Sequence, residues 1–167
     1  MTSCDLQYVP FLVNECESEY TADYEQIFYD CIPFDESEPI GFSAKISGPF
    51  QTLNARQIVP FIDVISNFGD HYSTQTYSFT CLVYGVYFFS FASNSISRTY
   101  AQGQLFRNKS ELIRNMSDNE GSYDSSSAAI IAECSNGDQV FVNVLKYGIF
   151  DGGDSPCHFS GYLLHKL

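Results

Sequence analysis

The chain reads as an all-β domain, and three observations predict that class. Tyr77 to Phe91, YSFTCLVYGVYFFSF, holds two aromatic-rich segments broken at Tyr84-Gly85. Apolar residues recur at every second position in each, with Phe79, Cys81 and Val83 in the first and Tyr87, Phe89 and Phe91 in the second, a period that puts them on one face of a strand. Two later segments, QVFVNVL (Gln139 to Leu145) and FSGYLL (Phe159 to Leu164), are of the same type, and no segment carries a long apolar stripe at helical spacing.

Along the chain, residues 1–39 read as an acidic arm and residues 40–167 as one domain. The arm lacks strict alternation, yet Tyr8, Phe11, Tyr20, Tyr24, Phe28, Tyr29 and Phe34 are too many aromatics for a plain linker. The expected result is an arm that packs on the domain or is stapled by its own cysteines. Asn94 to Ser127 is polar and predicts two modest strands, near Thr99 to Phe106 and Glu111 to Asn115, followed by the longest loop of the domain. Ile149 to His158, IFDGGDSPCH, is rich in turn residues and predicts a second loop.

Charge is distributed unevenly over the 167 residues. Ten of the 20 acidic residues precede Pro39, where there is no Lys or Arg; the other ten accompany all eight Lys and Arg. The domain is therefore nearly neutral and the arm acidic. Such a balance argues against nucleic acid, whose phosphates require clustered cations. The arm reads as a solvated, self-repelling segment, or as one that attracts a basic partner or holds divalent cations loosely. No apolar run approaches the roughly 20 residues that a bilayer crossing requires, so membrane insertion is not expected. Met1-Thr2-Ser3-Cys4 does not open a signal peptide, so secretion implies a leader already removed.

GFSA (Gly41 to Ala44), VPFIDVISNFGDHY (Val59 to Tyr72), FTC (Phe79 to Cys81), GVYFFSF (Gly85 to Phe91), GDQVFV (Gly137 to Val142) and FSGYLL occur in one order. Together they resemble the globular domain of the complement C1q family over Gly41 to Leu167. The resemblance implies a ten-stranded jelly-roll sandwich, related to the tumour-necrosis-factor cytokines, that assembles as a homotrimer. One departure is Phe141, which stands where the family often has tryptophan; the chain contains none. No Gly-X-Y run of the kind that builds a collagen stalk is present in the sequence.

Enzymatic signatures are lacking. The chain has no GxSxG, HExxH or GxxxxGK[ST] motif, and its histidines are His71, His158 and His165. His71 lies in NFGDHY, where the resemblance implies a turn and packing role. His158 follows Cys157, with Asp151 and Asp154 upstream, and reads as a loop residue beside a disulfide in preference to a soft-metal ligand.

Asp118 to Asp124 supplies three carboxylates and an amide within seven residues, the hard oxygens that calcium takes. It is not an EF-hand, since position 12 from Asp118 is Ala129. The resemblance implies a calcium ion near a threefold axis, held by Asp124, with Asp118, Asn119 and the Tyr123 carbonyl as weaker ligands. An ordinary acidic surface loop is the alternative.

Six cysteines divide evenly: Cys4, Cys16 and Cys31 in the arm, and Cys81, Cys134 and Cys157 in the domain, with no CxxC pair. Cys134 and Cys157, near predicted strand ends, are the expected disulfide. Cys81, mid-strand on the buried face, is expected to be a free apolar filler, and one arm cysteine is expected to stay free or bridge to another chain. Asn108-Lys109-Ser110 and Asn115-Met116-Ser117 are glycosylation acceptor sequences. These features predict a secreted, non-enzymatic, homotrimeric binding protein, used in innate-immune pattern recognition or lectin-like glycan binding. Ligands are expected at the loops that hold Tyr123, Asp151, Asp154 and His158. The alternatives are a calcium-binding matrix protein and a secreted signal that binds a receptor.

Overall fold

Thirteen strands appear in the computed structural model, which describes residues 39–48, 50–51, 57–96, 100–118, 123–144, 149–150 and 157–167. The arm, apart from Pro39, falls outside the described residues, as do Asn119, Asp151 and Asp154. Glu38–Leu167 forms a compact unit by itself. Its strands are β1 (Gly41–Lys45), β2 (Phe50–Gln51), β3 (Gln57–Ile58), β4 (Asp63–Phe68), β5 (Tyr72–Ser73), β6 (Ser78–Thr80), β7 (Gly85–Ile96), β8 (Tyr100–Arg107), β9 (Ser110–Asp118), β10 (Tyr123–Cys134), β11 (Gln139–Val144), β12 (Ile149–Phe150) and β13 (His158–Lys166). β2, β3, β5 and β12 are two-residue bridges, which accounts for a count above the ten expected.

Eleven of the strands form two antiparallel sheets, and β2 and β12 pair with each other. One has the order β10-β7-β13-β1-β4; the other runs β5-β6-β11-β8-β9, with β3 also on β11. Apart from the hairpins β5–β6 and β8–β9, neighbours in each sheet are not consecutive in the chain, as in a jelly roll, and β1 lies between β13 and β4.

The core is mainly aromatic. Tyr87, Phe89 and Phe91 of β7 point inward and are fully buried, as the period-two pattern requires, together with Phe61, Phe79 and Phe159. Phe42 stacks on Tyr72 at 4.6 Å and on Phe79 at 5.0 Å, and meets Phe159 edge-on at 4.7 Å. Each fully buried phenylalanine contributes about 1.5–3 kcal/mol through area removed from water, and such ring pairs add about 0.5–1.5 kcal/mol. The two buried phenols keep hydrogen-bond partners: Tyr72 donates to the Phe61 carbonyl at 2.9 Å and Tyr87 to the Val83 carbonyl at 2.8 Å. Burial pushes the Tyr87 phenol up to about 12, so it remains a donor across the neutral range.

At the other end of β7 the buried residues become polar: Ser93, Asn94 and Ser95, with Asn115 and Ser117 from β9. Asn115 joins the sheets. Its Oδ1 accepts from Ser93 Oγ at 3.1 Å and from the Gly103 backbone at 3.0 Å, while Nδ2 donates to the Ser126 carbonyl at 2.9 Å. Asn115→Ala should therefore lower stability by about 2–3 kcal/mol, because it leaves the buried Gly103 N–H without an acceptor; urea unfolding measures this.

His71 has the packing role expected of it. The ring stacks on Phe79 at 5.6 Å, Nδ1 lies 3.1 Å from the Thr80 carbonyl, and the preceding turn is left-handed at Gly69 and Asp70. Two predicted loops are shorter than expected. Ser125 to Ser127, together with Tyr123 and Asp124, belong to β10, and His158 begins β13. Polar composition misled here because β10 is the outermost strand of its sheet, where side chains alternate between solvent and a half-buried face while the backbone alone pairs with β7.

The outer face of the five-stranded sheet carries an apolar row. Ile131 of β10 pairs with Phe88, Phe88 with Tyr162, Tyr162 with Gly41, and Gly41 with Phe68, so one line of residues crosses all five strands, with apolar side chains on every strand but β1. Ile131, Tyr162 and Phe68 are 62%, 48% and 54% exposed. The Tyr162 ring lies 5.3 Å from that of Phe88.

Candidate functional site

Two turns at one end of the sandwich form a polar depression. The β8–β9 turn is Arg107 to Ser110, with Asn108 at a φ of 54° in the left-handed region, which asparagine tolerates better than most residues. The β10–β11 turn has Gly137 at a φ of 89°, a conformation glycine adopts without strain. Arg107, Asn108, Lys109, Ser110, Glu133, Ser135 and Asp138 line a depression of about 690 Å³ between them.

Asp138 organises the site. Its Oδ1 accepts from Asn108 Nδ2 at 2.7 Å and its Oδ2 from the Ser135 backbone at 2.9 Å, with Arg107 Nε at 3.9 Å. Arg107 also donates through Nη1 to the Glu133 carbonyl, and the Glu133 carboxylate accepts from Tyr84 at 2.7 Å. That hydrogen bond raises the Tyr84 phenol above its ordinary value. The Lys109 ammonium and Ser110 hydroxyl complete a surface of alternating donors and acceptors, suited to a ligand rich in hydroxyl groups.

The predicted calcium and ligand residues lie elsewhere. Asp118 ends β9 and Tyr123 begins β10, at the opposite end of those strands from this depression. Asp124 is exposed on β10 opposite Ser95, with Oδ1 accepting from the Ser125 backbone at 2.9 Å. His158 pairs with Lys45 across β13 and β1, and partial desolvation of its ring lowers its pKa. Among the described residues no three His, Cys, Asp or Glu side chains gather into a metal site. Sequence reasoning missed Arg107, Glu133 and Asp138 as a group. Asp138 was visible only as part of GDQV, and no local signal pairs it with a residue 31 positions away.

Comparison with known proteins places the whole sandwich. Residues 41–164 match the C1q domain. The chain belongs to the C1q domain family. It is 31% identical over 110 residues to complement C1q and tumor necrosis factor-related protein 9 of Mus musculus, an alignment covering 64% of this chain and 33% of that protein. The chain thus spans about a third of that relative's length. The globular domain of zebrafish complement 1qA protein superposes with a TM-score of 0.64 at 23% identity, covering 77% of this chain and 99% of that one. Eiger TNF from S. frugiperda superposes with a TM-score of 0.63 at 11% identity, covering 78% and 95%. These last two likenesses are of fold, and they agree with the jelly roll.

Within this C1q domain two expectations are corrected. Cys134 does not meet Cys157. Cys134 lies opposite Gly85 at the start of β7, whereas the Cys157 sulfur accepts from the backbone of Asn94 at 3.2 Å, nine residues further along the same strand. Nine residues of strand span about 30 Å, and a disulfide needs Cα atoms within about 7 Å. The three domain cysteines are buried, and the neighbour of Cys134 is Cys81.

The second correction is Asn115. It is 6% exposed and both ends of its amide are engaged inside the C1q domain, so the fold has no room for a glycan there. Asn108 differs, being exposed on the β8–β9 turn at the rim of the depression. In the tryptophan's usual place, Phe141 stacks on Phe106 at 5.9 Å.

Proposed function

We propose that this chain is a secreted, non-enzymatic recognition protein that assembles as a homotrimer and binds hydroxyl-rich ligands, microbial surface polymers or glycans, through the ends of its sandwich. The apolar row Ile131, Phe88, Tyr162 and Phe68 carries the reading. A contiguous aromatic and aliphatic line across a sheet face is unfavourable in water, and packing against further copies removes it. The polar depression supports ligand binding, since its donors and acceptors stand on two turns held by a rigid scaffold. Asn108 is the acceptor for a glycan, which would stand at the same rim.

Light scattering tests the assembly, with three chain masses expected; a monomer at micromolar concentration removes it. Binding is tested by screening the full chain, a form lacking Met1 to Pro39, and Lys109→Ala against glycans and bacterial surface polymers. Equal binding by the first two and weaker binding by Lys109→Ala supports the depression as the site. Binding that disappears with the arm favours a matrix role, and no glycan binding by any form favours a receptor-binding signal.

Calcium belongs to this proposal only through the trimer, because one chain's described residues do not assemble a site. Asp124 is exposed with one carboxylate oxygen still unoccupied by the Ser125 bond, and copies brought together near an axis would repel unless a cation lies between them. Calcium should raise the melting temperature of the parent and leave that of Asp124→Ala unchanged. An equal calcium response in both places any site elsewhere.

A further inference from the structure

We propose that Cys81 and Cys134 are the site of an intradomain disulfide that clamps the two sheets together beneath the polar depression. Cys81 follows β6 of the six-stranded sheet, and Cys134 is the last residue of β10 in the five-stranded one. Both are 0% exposed, and their thiols lie within hydrogen-bonding reach of each other.

The backbone around them holds this contact. The Cys81 N–H donates to the Asp138 carbonyl at 2.8 Å, and its carbonyl accepts from Gly137 at 2.7 Å. The Asp138 side chain in turn binds the Ser135 backbone at 2.9 Å, next to Cys134. The β10–β11 turn is thus tied to Cys81 on one side and carries Cys134 on the other. Two buried cysteines in sulfur contact need only a small approach to reach bonding distance, and the link would close a long loop between sheets, where the chain-entropy gain is large.

The chemistry requires a low-molecular-weight disulfide as oxidant. With Cys134 as the attacking thiolate, the chemistry before the β10–β11 turn closes is ordinary thiol–disulfide exchange. Cys134 attacks one sulfur of the oxidant and releases the first thiolate. Cys81 then attacks the Cys134 sulfur of the mixed disulfide and releases the second. The protein dithiol loses two electrons and two protons, and the oxidant leaves as two thiols. Because both sulfurs are enclosed in the folded domain, this exchange takes place during folding, before the β10–β11 turn closes.

The experiment unfolds and reduces the full chain and refolds it with reduced and oxidised glutathione. Remaining thiols are then trapped with iodoacetamide, and the peptides are mapped without reduction. The expected map joins the Cys81 peptide to the Cys134 peptide. The melting temperature should exceed that of the dithiothreitol-treated chain by on the order of 10 °C, a difference lost in Cys81→Ala and Cys134→Ala. Carbamidomethyl groups on both cysteines, or a link from either to Cys157 or to an arm cysteine, would overturn the proposal. The map of the unmodified chain decides the matter even if the alanine variants fail to fold.

Discussion

Tyr162→Glu should leave the chain folded and convert the proposed trimer to a monomer, with the light-scattering mass falling to a third. In the single chain the Tyr162 side chain is half exposed on the outer sheet face, so a carboxylate there stays hydrated and costs the sandwich little. Buried against another copy, the same carboxylate has no cation beside it in the row of Ile131, Phe88 and Phe68. The cost of enclosing an unpaired charge is several kcal/mol, and each copy in the assembly incurs it. Circular dichroism should show the parent's β spectrum, which separates loss of assembly from loss of fold. A variant mass equal to that of a trimeric parent would place the interface on another face.

The second large effect is expected at Gly161, within FSGYLL. A Cβ there would stand 2.4 Å and 2.7 Å from Cδ1 and Cε1 of Phe89, and 3.1 Å from Cε1 of Phe42. Neither ring can step aside: Phe89 is stacked on Tyr87, and Phe42 is held between Tyr72, Phe79 and Phe159. Gly161→Ala should therefore destabilise the domain by about 3 kcal/mol, the upper end of the usual cost of overpacking a filled core. Urea unfolding measures it. Gly137→Ala is the control, since its Cβ meets nothing within 4 Å and only its left-handed φ is strained; a loss of about 1 kcal/mol is expected there. Equal losses at the two positions would show that the contact with Phe89 is not the cause.

Much of this architecture follows from local rules that a single sequence carries. Tyr87, Phe89 and Phe91 had to share a face because strand side chains alternate, and so many rings on one face had to be buried. The ordered motifs from GFSA to FSGYLL likewise carried the C1q resemblance, because each marks a strand or turn whose residue types its own backbone requires. What joins distant segments was not legible. The Ser125 to Ser127 run resembled a loop, and only pairing with β7 makes it strand. Asn115 resembled a surface acceptor until two sheets closed over it. Cys134 was expected to meet Cys157, and only register placed it at the β7 end where Cys81 arrives. The polar depression had no sequence signature either, for Arg107, Glu133 and Asp138 meet only because β8 and β10 end together. Alternation is decided by one residue's bond geometry and can be read along the chain. Which side chains meet is decided by register and sheet packing, which depend on every strand at once.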